Sequence, residues 1–163
     1  MAISDVTSSI NSGNTPARHA RAVPYLAEAE IDMATVVANR VGAGAIVAND
    51  IVNVMDIPAK TLVMAAGIEV ITPTDAGTLT VDLALGGLDE FVDDFDLSST
   101  TAAGTMSTTA GGAADAASSQ MATADDTLDM KIATQGGDAL TSGKIRVWAI
   151  LCDCSSTVSA GIA

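Results

Sequence analysis

The octapeptide TLTVDLAL, residues Thr78–Leu85, sets Leu79, Val81, Leu83 and Leu85 on one side of the chain and Thr78, Thr80 and Asp82 on the other. A period of two marks an extended strand with one buried face, because successive side chains of a strand point to opposite sides. Two later stretches repeat the pattern: Leu128, Met130 and Ile132, then Ile145, Val147, Ala149 and Leu151. Helical periodicity is weak wherever these strands are clear, and turn signals recur at short spacing. An all-β, antiparallel β-sandwich is therefore favoured over an α/β fold.

Working outward from 78–85, Pro73 and the Asp75-Ala-Gly77 turn close a strand over 61–72, and Pro58-Ala-Lys60 turns the chain before it. The stretch 45–57 is apolar on both faces at Ile51, Val52, Val54 and Met55, as expected of a strand covered on both sides. Further upstream, Ile31, Met33, Thr35 and Val37 alternate and predict a first strand over 30–37, followed by a turn at Gly42-Ala-Gly44. Downstream, strands are expected over 126–134 and 144–154, separated by Gly136-Gly137. A generous count gives about eight strands with uneven connections, which fits a jelly roll.

Two segments fall outside this pattern. Residues 1–28 are rich in Ser, Asn, Gly and Ala, and Pro16 and Pro24 block a continuous helix, so they read as an extended N-terminal arm. Residues 98–124 form a low-complexity loop of Ser, Thr, Ala and Gly whose only charge is Asp115, although 104–109 could pair at a sheet edge. The remainder, 29–163, is expected to be one β-sandwich domain, since 163 residues are too few for two ordinary ones. Nearly half of the chain is hydrophobic, yet its only aromatic residues are Tyr25, Phe91, Phe95 and Trp148. The core must be filled with aliphatic side chains, each contributing roughly 1.5–3 kcal/mol when well buried.

Charge narrows the partners. The net charge is −13, with Arg18 and Arg21 set against Asp5 alone in residues 1–27. An acidic body lacks the clustered Lys and Arg needed to release counterions from a phosphate backbone, so nucleic acid is not an expected partner. The longest apolar stretches, such as 62–68, are too short for a bilayer, and the Met1-Ala-Ile-Ser-Asp5 start lacks a signal-peptide pattern. A protein made and used in soluble form is expected. The locally basic arm, with Arg18, His19 and Arg21, is a candidate for docking on the acidic body of a neighbouring molecule, an attraction that salt would weaken.

Catalytic chemistry is poorly served. His19 is the single histidine and sits in the arm, away from any strand that could hold a base in place. Cys152 and Cys154 lie two apart, about 6–7 Å along a strand and on one side of it, poor geometry for a mutual disulfide and too few ligands for zinc. No phosphate-cradling glycine loop precedes a helix. The acidic run Asp89, Glu90, Asp93, Asp94 and Asp96 could gather carboxylates around a hard cation, but it lacks EF-hand spacing and reads as a solvated edge that deters strand pairing. No enzyme activity, cofactor or metal is expected. The even-numbered face of the last strand begins polar with Lys144 and Arg146 and turns apolar through Trp148, Ile150 and Cys152. Arg146 and Trp148 are thus candidate partner contacts, with packing inside the sandwich as the other reading of Trp148.

Several phrases carry a resemblance. DIPAKTLV (56–63), GIEVIT (67–72) and LTVDL (79–83), with ADDTLDM (124–130) and GKIRVWAILCD (143–153), resemble a family of small β-sandwich virion proteins of tailed bacteriophages that decorate or cement capsids. The likeness spans roughly residues 45–154, and the 98–124 loop departs from the more varied loop usual there. The resemblance implies a non-catalytic component of the outer capsid surface of the virion, a homotrimer bound to the major capsid protein. A tail, fibre or adaptor component is the alternative within that class, and a carbohydrate-binding module the alternative outside it. A decoration protein needs faces and arms rather than clefts, and this chain offers those.

Overall fold

The computed structural model describes residues 3–5, 23–40, 45–86, 91–107, 119–136 and 140–155. In chain order the elements are β1 (Ile3–Asp5), β2 (Tyr25–Asp32), α1 (Met33–Asn39), β3 (Ile51–Ile57), β4 (Thr61–Thr72), β5 (Thr78–Leu85), β6 (Val92–Asp96), β7 (Gln120–Met121), β8 (Asp126–Gly136) and β9 (Lys144–Asp153). They form two sheets, ordered β1-β3-β8-β5-β6 and β2-β9-β4-β7. Every pairing is antiparallel except the short β1–β3 ladder. The chain is an all-β sandwich.

Each sheet contributes one apolar face to a single core. Leu79, Val81 and Leu83 of β5 and Leu128, Met130 and Ile132 of β8 are fully buried. Facing them in the same cluster are Val63, Ala66, Ile68 and Val70 of β4 with Ile145, Val147 and Ala149 of β9. The strand-forming residues of the second half thus sit where their period of two places them. From β2 to β5 the chain alternates between sheets, returns through the β5–β6 hairpin, and alternates again from β6 to β9.

The expected strand over 30–37 is corrected. β2 starts earlier, at Tyr25, and ends at Asp32, whose carboxylate accepts the Ala34 amide and caps α1. Met33 and Val36, three apart, are buried on the helix, and half-buried Val37 packs on the core beside them. Positions that alternate as a strand here also satisfy helical spacing, and the aspartate cap decides between them. Tyr25 to Glu28, read as the end of the arm, pair with β9. Arg18, His19 and Arg21 lie outside the described residues, as do 108–118 of the spacer.

Two further expectations change in detail. The strand predicted over 45–57 begins only at Ile51, and its outer face, Ile51, Asn53 and Met55, is half-buried rather than covered. Before it, Asp50 is 2% exposed and takes two bonds from the Arg40 guanidinium, Nε at 2.7 Å and Nη2 at 3.2 Å, with the Val47 amide at 3.0 Å. That ion pair ties the end of α1 to the start of β3. In the spacer, residues 104–107 do run along β4: the Ser107 amide donates to Ile68, the Val70 amide to Thr105, and Met106 bridges Glu69. Cys152 is buried on β9, whereas Cys154 is exposed beyond the strand end, and both are free thiols.

Candidate partner-binding face

The outward residues of β2, β9, β4 and β7 form one continuous surface. Register places Glu28, Trp148 and Gly67 in one row, Glu30, Arg146 and Glu69 in the next, and Asp32, Lys144 and Thr72 in the last. In the other direction come Leu26, Ile150 and Ala65, then Cys152, Leu62 and Met121. Met64 occupies the bulge between these two rows on β4. The face therefore divides into a charged half and an apolar half.

In the charged half, Arg146 Nη1 lies 2.8 Å from Glu69 and Lys144 Nζ 3.4 Å from Glu30. Exposed pairs of this kind contribute about 0–1 kcal/mol each, so they neutralise the surface more than they hold the fold. Among the described residues Glu28 has no ion-pair partner and its side chain is exposed.

Trp148 sits on the border between the halves. It is outside the sandwich, half-buried, with its indole laid over Gly67: a Cβ on Gly67 would come 2.6 Å from Cζ2 and 2.8 Å from Cε2 of the ring. Glycine at 67 is what lets the ring lie flat against β4. Among the described residues the buried indole Nε1 has no hydrogen-bond acceptor.

Of the apolar half, the sequence showed only the β9 side chains Ile150 and Cys152; its extension onto β2, β4 and β7 was not apparent. Leu26 is 57% exposed, Met64 40% and Met121 41%, with Met106, 52%, flanking the charged half beside Glu69. Outward-facing Leu and Met on neighbouring strands are uncommon on a face turned only to water, and contiguous apolar patches mark interaction sites.

The outer face of the other sheet is acidic. Asp82, Asp93 and Asp94 bring carboxylate oxygens within 4.8 Å of one another where β5 meets the edge strand β6. Asp82 is buried but partnered: Lys131 Nζ stands 3.3 Å from Oδ2, and the Asp94 amide donates to Oδ1 at 3.0 Å. Asp94 has φ of 49°, at the irregularity in the β5–β6 ladder, and accepts from Thr80 Oγ1. The cluster thus carries its own cation in Lys131. Asp89 and Glu90 of the same run are outside the described residues. On this face too, Asp129 is 9% exposed, and burial pushes its carboxyl above the ordinary aspartate range against the opposing bond from Thr127. A shallow depression is lined by Asp56, Ile57, Pro58, Asp125, Asp126 and Thr127, with no histidine, cysteine or aromatic ring among them, and the Asp125 carboxylate there accepts the Ala59 amide.

No protein family matches the sequence, and no curated protein matches it. Two solved structures do. A chain from the capsid of Ralstonia phage GP4 superposes with a TM-score of 0.61 at 15% identity, over 87% of this chain and 92% of that one. A chain from the acid-stable capsid of Helicobacter pylori bacteriophage KHP30 matches at 18% identity over 80% and 89%, with a TM-score of 0.47. The first of these likenesses establishes a shared β-sandwich fold across nearly the whole of both chains.

Proposed function

We propose that this protein is a non-catalytic structural component of a phage virion: a decoration or cement protein on the outer capsid surface, binding the major capsid protein as a homotrimer. The observation that carries the reading is the fold held in common with a phage capsid chain over almost its full length. It agrees with the strand phrases that resemble capsid-decorating proteins. A face with outward Leu and Met residues suits a binding role. The strand orders β2-β9-β4-β7 and β3-β8-β5-β6 follow the winding of a jelly roll, and we read the sandwich as one. In this reading the segment before β2 acts as an arm whose Arg18, His19 and Arg21 reach an acidic neighbour, while Arg146 and Trp148 belong to the contact face.

Immunogold labelling of purified virions with antibodies against this protein tests the proposal. Dense label over the head is the expected result. Label confined to the tail would replace the decoration role with that of a tail, fibre or adaptor component, and no label with accessible epitope controls would refute a virion role. Replacing Arg18, His19 and Arg21 with alanine should leave melting unchanged and weaken attachment to heads; unchanged attachment would remove the basic arm from the contact.

A further inference from the structure

The apolar half of the outer β2-β9-β4-β7 face joins residues from four strands: Leu26, Ile150, Met64, Leu62 and Met121. At about 4.8 Å per strand and about 7 Å per same-face row, it covers roughly 300 Å². A stable protein–protein interface takes about 800 Å² from each partner, so this patch alone falls well short of holding two free copies together. It suffices where many weak contacts act at once, because linked sites bind with high effective concentration.

Charge bears on which partner. The face carries Glu28, Glu30, Asp32 and Glu69 against Lys144 and Arg146, and both cations are already paired within the face. Glu28, next to Trp148 and two residues from Leu26, is left with an uncompensated carboxylate at the boundary of the patch. A second copy, itself at −13, would meet this rim with like charge. Trp148, fixed over Gly67, supplies a rigid wall along the same boundary.

We infer that the apolar half of this face docks an apolar projection flanked by lysine or arginine on a different protein displayed in repeated copies. The inference rests on the virion reading above and assigns the capsid-facing side of the molecule to the β2-β9-β4-β7 sheet, with the acidic sheet turned away.

The test compares the wild type with Met64→Lys/Met121→Lys, with Glu28→Gln, and with Val47→Lys as a control at an exposed apolar residue elsewhere (46% exposed). Each is measured for binding to phage heads assembled without this protein, and for mass in solution by light scattering. The substituted side chains are partly in water already, so folding should persist, checked by Trp148 fluorescence. Expected results are a tenfold or greater loss of head binding for the double variant and a several-fold loss for Glu28→Gln. Val47→Lys should bind as the wild type does, and no variant should change in mass. Wild-type binding should weaken between 50 and 500 mM salt, on the order expected for screened charges. If the double variant bound heads like the wild type, the surface would be wrong. A drop in its mass would make a second copy the occupant, and binding strengthened by salt would remove the basic partner. Heads that failed to bind even the wild type would refute the virion reading itself, and this inference with it.

Discussion

Replacing Arg40 with methionine should be among the most damaging single changes on the periphery of this sandwich. The Asp50 carboxylate is 2% exposed and sits between α1 and β3, where Arg40 supplies two of its hydrogen bonds and an ion pair at 2.7 Å. Removing one partner of a buried pair costs about 3–5 kcal/mol, since the remaining charge must stay unpaired, become protonated or drag water inward. The Arg40 side chain is itself 13% exposed and the Val47 amide still serves Asp50, which places Arg40→Met at the lower end, about 3 kcal/mol. For a chain of this length that corresponds to a fall in Tm of roughly 6–12 °C. Trp148, the single tryptophan, lies across the β9–β4 ladder and reports global unfolding, so urea titrations followed by its fluorescence give the stability directly. The companion double variant Arg40→Met/Asp50→Leu removes both charges. It should recover most of the loss, keeping a deficit of about 1 kcal/mol for the orphaned Val47 amide. A single variant within about 1 kcal/mol of the wild type, or a double variant less stable than the single one, would refute the pair as an organising contact.

Three further outcomes follow from the charged groups. The hydroxyl and amide of Thr141, with the Ser142 amide, hold the Asp75 carboxyl down to about 2. Its folded pKa lies below the unfolded value of 3.8, so its contribution is present above pH 4 and lost as pH falls toward 2; the Tm gap between wild type and Asp75→Asn should close over that window. Asp129 is the opposite case, raised by burial, so the ionised form opposes folding at neutral pH. Asp129→Asn should melt higher at pH 7, with the advantage disappearing below about pH 4, and an advantage that persisted there would contradict the burial argument. Calcium at millimolar concentration should shift Tm by less than about 1 °C, because Lys131 already pairs with Asp82, the buried member of the cluster; a large rise would show that the ion displaces the lysine.

The strands β5, β8 and β9 were legible because each turns large apolar side chains to the core and sets polar ones among its outward positions, and their alternation records it. α1 was not, since Met33 and Val37 satisfy two periodicities at once and the choice falls to the Asp32 cap, a single hydrogen bond. Arg146 and Trp148 could be placed on a common outer face from the parity of one strand. The apolar patch beside them could not: Leu26, Met64, Met121 and Ile150 contribute one outward side chain from each of four strands. Only the register of pairings remote in sequence, with a bulge at Met64, makes them neighbours. Gly67 was opaque for the same reason, as its role exists only because Trp148 crosses it.

The last two strands among the described residues occupy interior positions, β8 between β3 and β5 in one sheet and β9 between β2 and β4 in the other. During synthesis, therefore, neither layer can close until its final member has been made. A nascent chain that stops short of residue 144 holds β2 and β4 with no common neighbour, and one that stops before 126 lacks the middle of both sheets. Sheet closure is thus governed by contacts between segments remote in sequence and is slow for that reason. Prematurely terminated chains would present several open strand edges at once, which makes them targets for aggregation or proteolysis.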